Sequence, residues 1–266
     1  MGRFSQSLTS LLSPDRTYVK LLAYIKAGLQ ACGRLLRQPD ALTWRKTRLM
    51  LTVKPWFTML SVPRLFNLYD NAIAVRDVPG DIVECGVWRG GGLAMMGAAC
   101  ADTGVTRHFW AFDSFQGLPP PSEHDGQAEM EHYYEGLNLG NEEMVRVIWH
   151  RLGLPLASLH TVPGWFEDTL PDATVEKIAV LHVDGDWYDS VKTTLESLYD
   201  RVSPGGIIQI DDYHYWEGCQ RAVDEFMDTH GLPAELLRHE AAPAVYFYKP
   251  PTESGARSST DGVAAG

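Results

Sequence analysis

Two acidic motifs follow short apolar runs in the second half of this 266-residue chain. In LHVDGDWYDS an apolar run leads to Asp184 and Asp186, and in GGIIQIDDYH a similar run ends at Asp211 and Asp212. A buried carboxylate without a partner is costly, because it loses its hydration. If these acids meet at one edge of a sheet, they repel one another unless a cation lies between them.

The three acids that end the two runs, Asp184, Asp211 and Asp212, offer oxygen ligands only, with no histidine or cysteine at metal-binding spacing. Such a set suits a hard cation, and we predict Mg²⁺. Two or three carboxylates leave coordination positions for water or a substrate hydroxyl, whose pKa the metal would lower. Asp186, just beyond the strand, is the predicted general base. The alternative is that these acids cap the helices that follow them.

A glycine-rich turn follows the first strand of the same region, in DIVECGVWRGGG. Glu84 lies near the strand end and Gly86 begins the turn, where a ligand could approach the backbone closely. The dinucleotide pattern GxGxxG fails, because Arg89 occupies its third glycine position. The spacing suits a nucleoside ligand without a pyrophosphate, such as S-adenosylmethionine, although a purely structural turn is the alternative.

Two further segments could contact such a nucleoside. Asp113 ends the second strand 29 residues after Glu84, where an acid can accept both ribose hydroxyls, and Ser114 follows it. The alternative for Asp113 is a turn or helix cap. Trp165 and Phe166 follow the third strand and could flank a purine ring, although aromatic residues at such a point also serve as core.

Short apolar segments alternate with helical ones from Gly80 onward. This alternation predicts a parallel sheet with helices on both faces and ligands at the carboxyl ends of its strands. Residues 235–239 and 244–249 are predicted to form a terminal antiparallel hairpin. The segment 117–140 is predicted to be a long loop that could close over an acceptor.

The N-terminal part of the chain has helical spacing of apolar residues over 18–36 and again over 56–77, with a break near Pro63. The predicted organisation has three parts: a helical N-terminal extension (1–77), a catalytic domain (78–250) and a disordered tail (251–266).

Net charge and cysteine content restrict the classes of binding partner and the cellular setting that we expect. Residues 1–55 carry a net charge of +8 and the remainder −19, so the acidic body argues against nucleic-acid binding. The basic segment is expected to be a solvated arm or to contact a sister subunit, and we expect a homo-oligomer. We expect neither a membrane span nor a signal peptide. Four scattered cysteines without a CxxC pair favour a reduced, cytoplasmic setting.

Five segments taken together resemble the macrocin O-methyltransferase family, which includes mycinamicin- and novobiocin-type sugar methyltransferases. They are PGDIVECGVWRGG, WAFDSFQGLP, GWFEDTLP, LHVDGDWYDS and PGGIIQIDDYHYWEGCQRAVDEF. The resemblance runs from about Trp56 to Lys249. It implies a class I methyltransferase fold, with a Rossmann-like, mostly parallel sheet.

The resemblance also implies roles for particular residues. S-adenosylmethionine would bind at Glu84, Gly86 and Asp113. The segment TMLSVPRLFNLY resembles the part of the family that contacts the methionine end of the cofactor, which makes Met59 and Ser61 candidates. The implied Mg²⁺ ligands are Asp184, Asp211 and Asp212, and the implied base is Asp186.

The expected function is Mg²⁺-dependent O-methylation of a sugar hydroxyl on a small glycosylated natural product, as in antibiotic biosynthesis. A catechol-type aromatic diol is an alternative acceptor, and a non-catalytic nucleoside-binding module is an alternative from another class. The chain departs from the family pattern at Gly92, where Ser or Thr is frequent, and at His214, where Gly is frequent. These departures put one cofactor contact in question and could reshape the acceptor side.

Overall fold

The computed structural model describes residues 40–232, 236–238 and 244–251, together with scattered helical positions between 22 and 37. Those scattered positions lie within the helix predicted over 18–36, or directly after it. The tail that was predicted to be disordered lies, apart from its first residue, outside the described residues.

A seven-stranded sheet forms the centre of the structure. Its strands are β1 (Asp81–Cys85), β2 (Phe109–Asp113), β3 (Leu159–Pro163), β4 (Ile178–Val183), β5 (Val202–Ile210), β6 (Leu237–Arg238) and β7 (Val245–Tyr248). The spatial order is β3-β2-β1-β4-β5-β7-β6. Strands β1 to β5 are parallel, whereas β7 runs antiparallel to both β5 and β6. The predicted sheet and terminal hairpin are thereby confirmed.

Helices cover both faces of this sheet. They are α1 (Ala41–Val53), α2 (Val62–Ala74), α3 (Gly91–Thr103), α4 (Gln127–His132), α5 (Glu142–Arg151), α6 (Phe166–Thr169), α7 (Tyr188–Leu198) and α8 (Glu217–Thr229). Helices α1, α2, α3 and α5 pack in one apolar core, and α7 and α8 pack in the other. Every residue of β4 is buried, as expected for a central parallel strand covered on both sides.

The order of the strands reverses between β1 and β4, which are neighbours although β2 and β3 separate them in the chain. Parallel α/β sheets bind ligands at such a point, beyond the carboxyl ends of the strands. The residues that follow β1, β4 and β5 therefore meet at one edge.

Three features differ from the sequence predictions. Helix α1 was not predicted. The break expected near Pro63 is instead the start of α2, because the Ser61 side chain accepts a hydrogen bond from the N–H of Arg64 and Pro63 fits the first turn. The segment 117–140 is not a structureless loop, since it contains α4.

Three of the four cysteines lie among the described residues. Cys85, Cys100 and Cys219 are buried and form no disulfide with one another. Among the residues described, no helix has both the length and the apolar character needed to cross a bilayer.

Close packing positions α3, the helix that follows the glycine-rich turn. A Cβ atom added at Gly97 would lie 2.7 Å from the Trp149 ring and 2.8 Å from Leu154. Trp149 is fully buried, and its indole N–H donates to the carbonyl of Pro155 at 3.0 Å, so the ring has little room to move.

We therefore expect Gly97→Ala to lower the free energy of unfolding by about 1–2 kcal/mol, because overpacking outweighs the helix propensity gained by alanine. Urea denaturation measures this change. Ala101→Gly, at an exposed position of the same helix, measures the propensity difference alone. A Gly97→Ala variant more stable than the parent would show that this contact is not tight.

Candidate active site

A cavity of about 580 Å³ opens at the reversal point of the sheet. It is lined by all the predicted site residues except Glu84: Met59, Ser61, Gly86, Asp113, Ser114, Trp165, Phe166, Asp184, Asp186, Asp211 and Asp212. Glu84 borders a small adjoining recess, which Met59, Gly86 and Asp184 also line. The structure thus places these residues, which come from distant parts of the chain, around one space.

The pairing of β4 with β5 brings the acids together. Val183 lies opposite Ile210 in the register, so the residues after the two strands, Asp184 and Asp211, are neighbours. Single carboxylate oxygens of Asp184, Asp211 and Asp212 lie within 4.8 Å of one another. Asp211 and Asp212 are buried, while Asp184 is partly exposed to the cavity. Burial and the charges of the other acids raise the pKa values of Asp184 and Asp212 well above the usual range.

Arg64, on the first turn of α2, supplies positive charge to this cluster. Its Nη1 lies 2.8 Å from Asp211 Oδ2, and its Nη2 lies 3.3 Å from Asp212 Oδ1. Nη2 also donates to the backbone carbonyl of Asp211 at 3.0 Å. Arg64 was not among the predicted site residues. No spacing signal connects it to acids almost 150 residues further along the chain.

A buried histidine connects the acid cluster to the glycine-rich turn. His182 Nδ1 lies 2.9 Å from Glu84 Oε1, and its Nε2 lies 3.6 Å from Asp211 Oδ1. Burial alone would lower the pKa of His182, but the two carboxylates at its ring nitrogens raise it to about 9. An imidazolium here offsets negative charge on both sides. One sequence signal could have identified His182, which lies two residues before Asp184 in the alternating pattern of β4.

Glu84 lies beneath the start of α3. Its carboxylate accepts from the backbone N–H of Leu93, and within the described residues its Oε2 is buried without a hydrogen-bond donor. A Cβ atom at Gly92 would lie 2.2 Å from Glu84 Oε1, so the serine or threonine that is frequent here would collide with this carboxylate. A Cβ at Gly86, where φ is 96°, would lie 1.8 Å from the Asp184 carbonyl oxygen. Gly86 is therefore required by this arrangement, whereas a side chain at position 92 would displace the end of the Glu84 side chain.

Asp113 is held at the end of β2 by two backbone amides. Trp88 N donates to Oδ2 and Phe115 N donates to Oδ1, each at 2.7 Å. Burial raises the pKa of Asp113 to about 6, although these two hydrogen bonds oppose the shift. Each oxygen keeps a lone pair that a further donor could use. The Ser114 hydroxyl is engaged in the turn, where it donates to the carbonyl of Gly117 at 2.9 Å.

Asp186 has a constrained backbone and an oriented side chain. Its φ of 55° is unusual for a non-glycine residue and marks strain of the kind found at functional sites. Trp216 Nε1 donates to Oδ1 at 2.9 Å, and Asn138 Nδ2 lies at 3.5 Å from Oδ2. Burial raises the pKa of Asp186 to about 6 against these contacts. The sequence analysis identified neither Trp216 nor Asn138, since both lie outside the acidic motifs.

Hydrogen bonds tie the segment 117–140 to residues at the starts of α7 and α8. The Asp125 carboxylate accepts from Tyr188 N at 2.8 Å, and Glu129 accepts from Gly218 N at 3.0 Å. The Trp187 indole donates to the Pro119 carbonyl at 2.8 Å. The segment is thus attached to the starts of α7 and α8, the two helices that follow the acidic motifs. Closure of this segment over an acceptor stays a prediction.

The sheet order, the acidic edge and the cavity at the reversal point define the class I methyltransferase fold. A solved structure described as that of the O-methyltransferase NovP superposes with a TM-score of 0.68 at 32% identity, covering 86% of this chain and 100% of the other. The family model for macrocin-O-methyltransferase (TylF) matches residues 45–249. The chain belongs to this family and is an O-methyltransferase.

Two curated relatives fit this assignment. The Streptomyces olivaceus enzyme named 8-demethyl-8-(2,3-dimethoxy-alpha-L-rhamnosyl)-tetracenomycin-C 4'-O-methyltransferase is 40% identical over 181 residues, covering 66% of this chain and 69% of that one. The mycinamicin III 3''-O-methyltransferase of Micromonospora griseorubida is 40% identical over 188 residues, covering 68% and 74%. The alternative of a non-catalytic binding module is set aside.

The repulsion within the acid cluster has a measurable effect on stability. Because the pKa of Asp184 is higher in the folded than in the unfolded protein, the stability linked to it is present at low pH and is lost as pH rises through the folded-state value. We expect Asp184→Asn to stabilise the protein at neutral pH without divalent cations, by about 0.5–2 kcal/mol.

Thermal unfolding in EDTA measures this change. Asp189→Asn is the control, because Asp189 is exposed on the next helix. Equal or lower stability of Asp184→Asn would show that the acids do not strain the folded state.

Proposed function

We propose that this protein is an Mg²⁺-dependent, S-adenosylmethionine-dependent O-methyltransferase that acts on a sugar hydroxyl of a glycosylated natural product. The observation that carries the proposal is the set of three carboxylates within 4.8 Å on the wall of the cavity. The names of two relatives support the acceptor class: one describes 4'-O-methylation of a rhamnosyl-tetracenomycin, and the other describes 3''-O-methylation of mycinamicin III. Neither of these names describes a catechol acceptor.

The donor set fits a hard divalent cation. Asp184, Asp211 and Asp212 offer oxygen atoms alone, which suits Mg²⁺. Asp211 Oδ2 lies 2.8 Å from Arg64 Nη1, and each carboxylate oxygen of Asp211 keeps at least one lone pair that a cation could use. Asp184 faces the cavity, where an acceptor hydroxyl could approach the same ion.

The opposite side of the cavity fits the cofactor. Asp113 keeps lone pairs for the ribose hydroxyls, as its two backbone contacts use only one lone pair of each oxygen. Trp165 and Phe166 line the cavity beside it, as a purine ring would require. Gly86 leaves the backbone open, Met59 lines the adjoining recess together with Asp184, and Ser61 lines the main cavity.

Asp186 is the group in the best position to accept a proton. It lies beyond the cluster on the cavity wall, and the Trp216 indole fixes one of its oxygens. When bound, Mg²⁺ would supply Lewis acidity to an acceptor hydroxyl, and S-adenosylmethionine would supply an electrophilic methyl group. Asp186 then takes the hydroxyl proton as the acceptor oxygen becomes the nucleophile. The walls hold the acceptor in line and exclude water.

We expect Asp184→Asn and Asp186→Asn to fail in different ways. Asp184→Asn should weaken Mg²⁺ binding, and high Mg²⁺ should restore part of the activity. Asp186→Asn should retain metal and cofactor affinity, yet lose about 10²–10⁴-fold in kcat, as is typical of a lost general base. Steady-state kinetics over a range of Mg²⁺ concentrations separate the two results.

EDTA treatment of the parent protein tests the same proposal, since exhaustive removal of divalent cations should abolish turnover. Full turnover in EDTA would reject the metal requirement. Near-normal kcat of Asp186→Asn at saturating Mg²⁺ would reject Asp186 as the base.

Asp113 should control cofactor affinity. We expect Asp113→Asn to weaken binding of S-adenosylhomocysteine by about 1.5–3 kcal/mol, since a charge-assisted hydrogen bond to ribose is lost. The pKa of Asp113 is raised to about 6, and the hydroxyls prefer the ionised form. Affinity of the parent should therefore fall below about pH 6, by up to about tenfold per pH unit.

Calorimetric titration at several pH values measures both effects. The exposed Asp168, on α6, provides the control Asp168→Asn, which should keep the affinity and the pH dependence of the parent. If Asp113→Asn also behaved as the parent does, the ribose assignment would be wrong.

A further inference from the structure

Arg64 occupies the part of the acid cluster where a cation is most needed. Its two terminal nitrogens lie 2.8 Å from Asp211 Oδ2 and 3.3 Å from Asp212 Oδ1, and its side chain is only 14% exposed. The guanidinium also lines the cavity. One Arg64 side chain therefore bridges two of the three proposed metal ligands.

The charges on this edge show why such a bridge matters. Asp184, Asp211 and Asp212 would carry three negative charges when ionised, within a few ångströms of one another. His182 Nε2 lies 3.6 Å from Asp211 Oδ1, and a ring nitrogen of His182 lies within 4.8 Å of a carboxylate oxygen of Asp184. Arg64 reaches the carboxylates of both Asp211 and Asp212 and also binds the backbone of Asp211. It is the positive group with the most contacts to the cluster among the described residues.

We propose that Arg64 is a built-in counter-ion of the metal site: it holds the acidic edge together without metal and competes with the divalent cation for Asp211 and Asp212. This inference rests on the proposed metal site. A ligand that must displace part of an internal ion pair binds more weakly, because its binding free energy includes the loss of that pair. Arg64 thus sets the metal affinity and keeps the metal-free protein folded.

The test is Arg64→Gln, studied with Mg²⁺ alone and without acceptor, so that it does not depend on turnover. Calorimetry should show Mg²⁺ binding tighter by at least about tenfold, because a unit positive charge near the ion has been removed. Thermal unfolding should show a lower midpoint than the parent in EDTA. Mg²⁺ should then raise the midpoint of the variant more than that of the parent.

Arg45→Gln is a matched control. Arg45 on α1 forms a two-point ion pair with Asp102 on α3, with N–O distances of 2.7 and 2.9 Å. Loss of this pair should lower the midpoint equally in EDTA and in Mg²⁺ and leave Mg²⁺ affinity unchanged. A purely structural role of Arg64 would give that same pattern.

Three results would overturn the inference. Arg64→Gln could bind Mg²⁺ as the parent does, could bind it more weakly because Arg64 orients the ligands, or could lose stability to the same extent with and without Mg²⁺. If Arg64→Gln does not fold in either condition, Arg64→Lys decides: its compact ammonium keeps a charge for folding but lacks the forked contact to both Asp211 and Asp212, so the ion displaces fewer contacts when it binds. Arg64→Lys should bind Mg²⁺ more tightly than the parent, and equal affinity would overturn the inference. Failure of the parent itself to bind Mg²⁺ would instead reject the proposed function.

Discussion

Repulsion between carboxylates at the ends of β4 and β5 is the constraint on which the site depends. The sheet register makes Asp184 and Asp211 neighbours, and Asp212 follows directly. Charges this close in a poorly solvated place strongly disfavour one another's ionisation. The protein places positive groups around them, with Arg64 on the cavity side and His182 on the sheet side. A divalent cation would complete this neutralisation, and the same cation would take part in the proposed methyl transfer.

Buried contacts also join the glycine-rich turn, on the proposed cofactor side of the cavity, to the acid cluster. His182 lies between Glu84, beneath the glycine-rich turn, and Asp211 in the cluster. The carbonyl of Asp184 lies so close to Gly86 that no side chain fits between the two strand ends. Because these groups are buried and tightly packed, a shift on one side of the cavity would disturb the other. The proposed reaction requires the methyl donor and the acceptor hydroxyl to be held in line, and a rigid connection between the two sides would help to hold them there.

A second set of contacts orients the proposed base. Asp186 leaves β4 with a left-handed backbone, and the Trp216 indole holds its side chain. Asp125 and Glu129 fasten the acceptor-side segment to the starts of α7 and α8. The elements that follow the two acidic motifs therefore hold the proposed base and anchor the segment 117–140. Strain at Asp186 persists because these surroundings hold it in place.

The sequence predicted the sheet well, because strands buried on both faces appear as continuous apolar runs and the acids mark their ends. Helix α1 was not predicted, since its buried side includes Thr43, Lys46 and Thr47, and Lys46 pairs with Asp70 at 2.8 Å. Apolar periodicity does not reveal a helix whose buried side contains polar residues of this kind.

The sequence also offered no means of predicting the roles of Arg64, Asn138 and Trp216. Their roles arise from contacts between segments that are 30 to almost 150 residues apart, as the Trp216–Asp186 and Arg64–Asp211 contacts show. Spacing within a motif carries no information about such contacts. Most motif residues could be predicted because they lie at or just after the end of a strand, as Asp113, Asp184 and Asp211 do.

The most direct test of the account is a crystal structure with Mn²⁺, which suits the same oxygen ligands as Mg²⁺ and gives an anomalous signal. The account predicts one strong anomalous peak within coordination distance of Asp184, Asp211 and Asp212, with the Arg64 guanidinium moved away from at least one of the two acids that it bridges. The absence of a peak there at saturating Mn²⁺, with Arg64 still bridging Asp211 and Asp212, would contradict it.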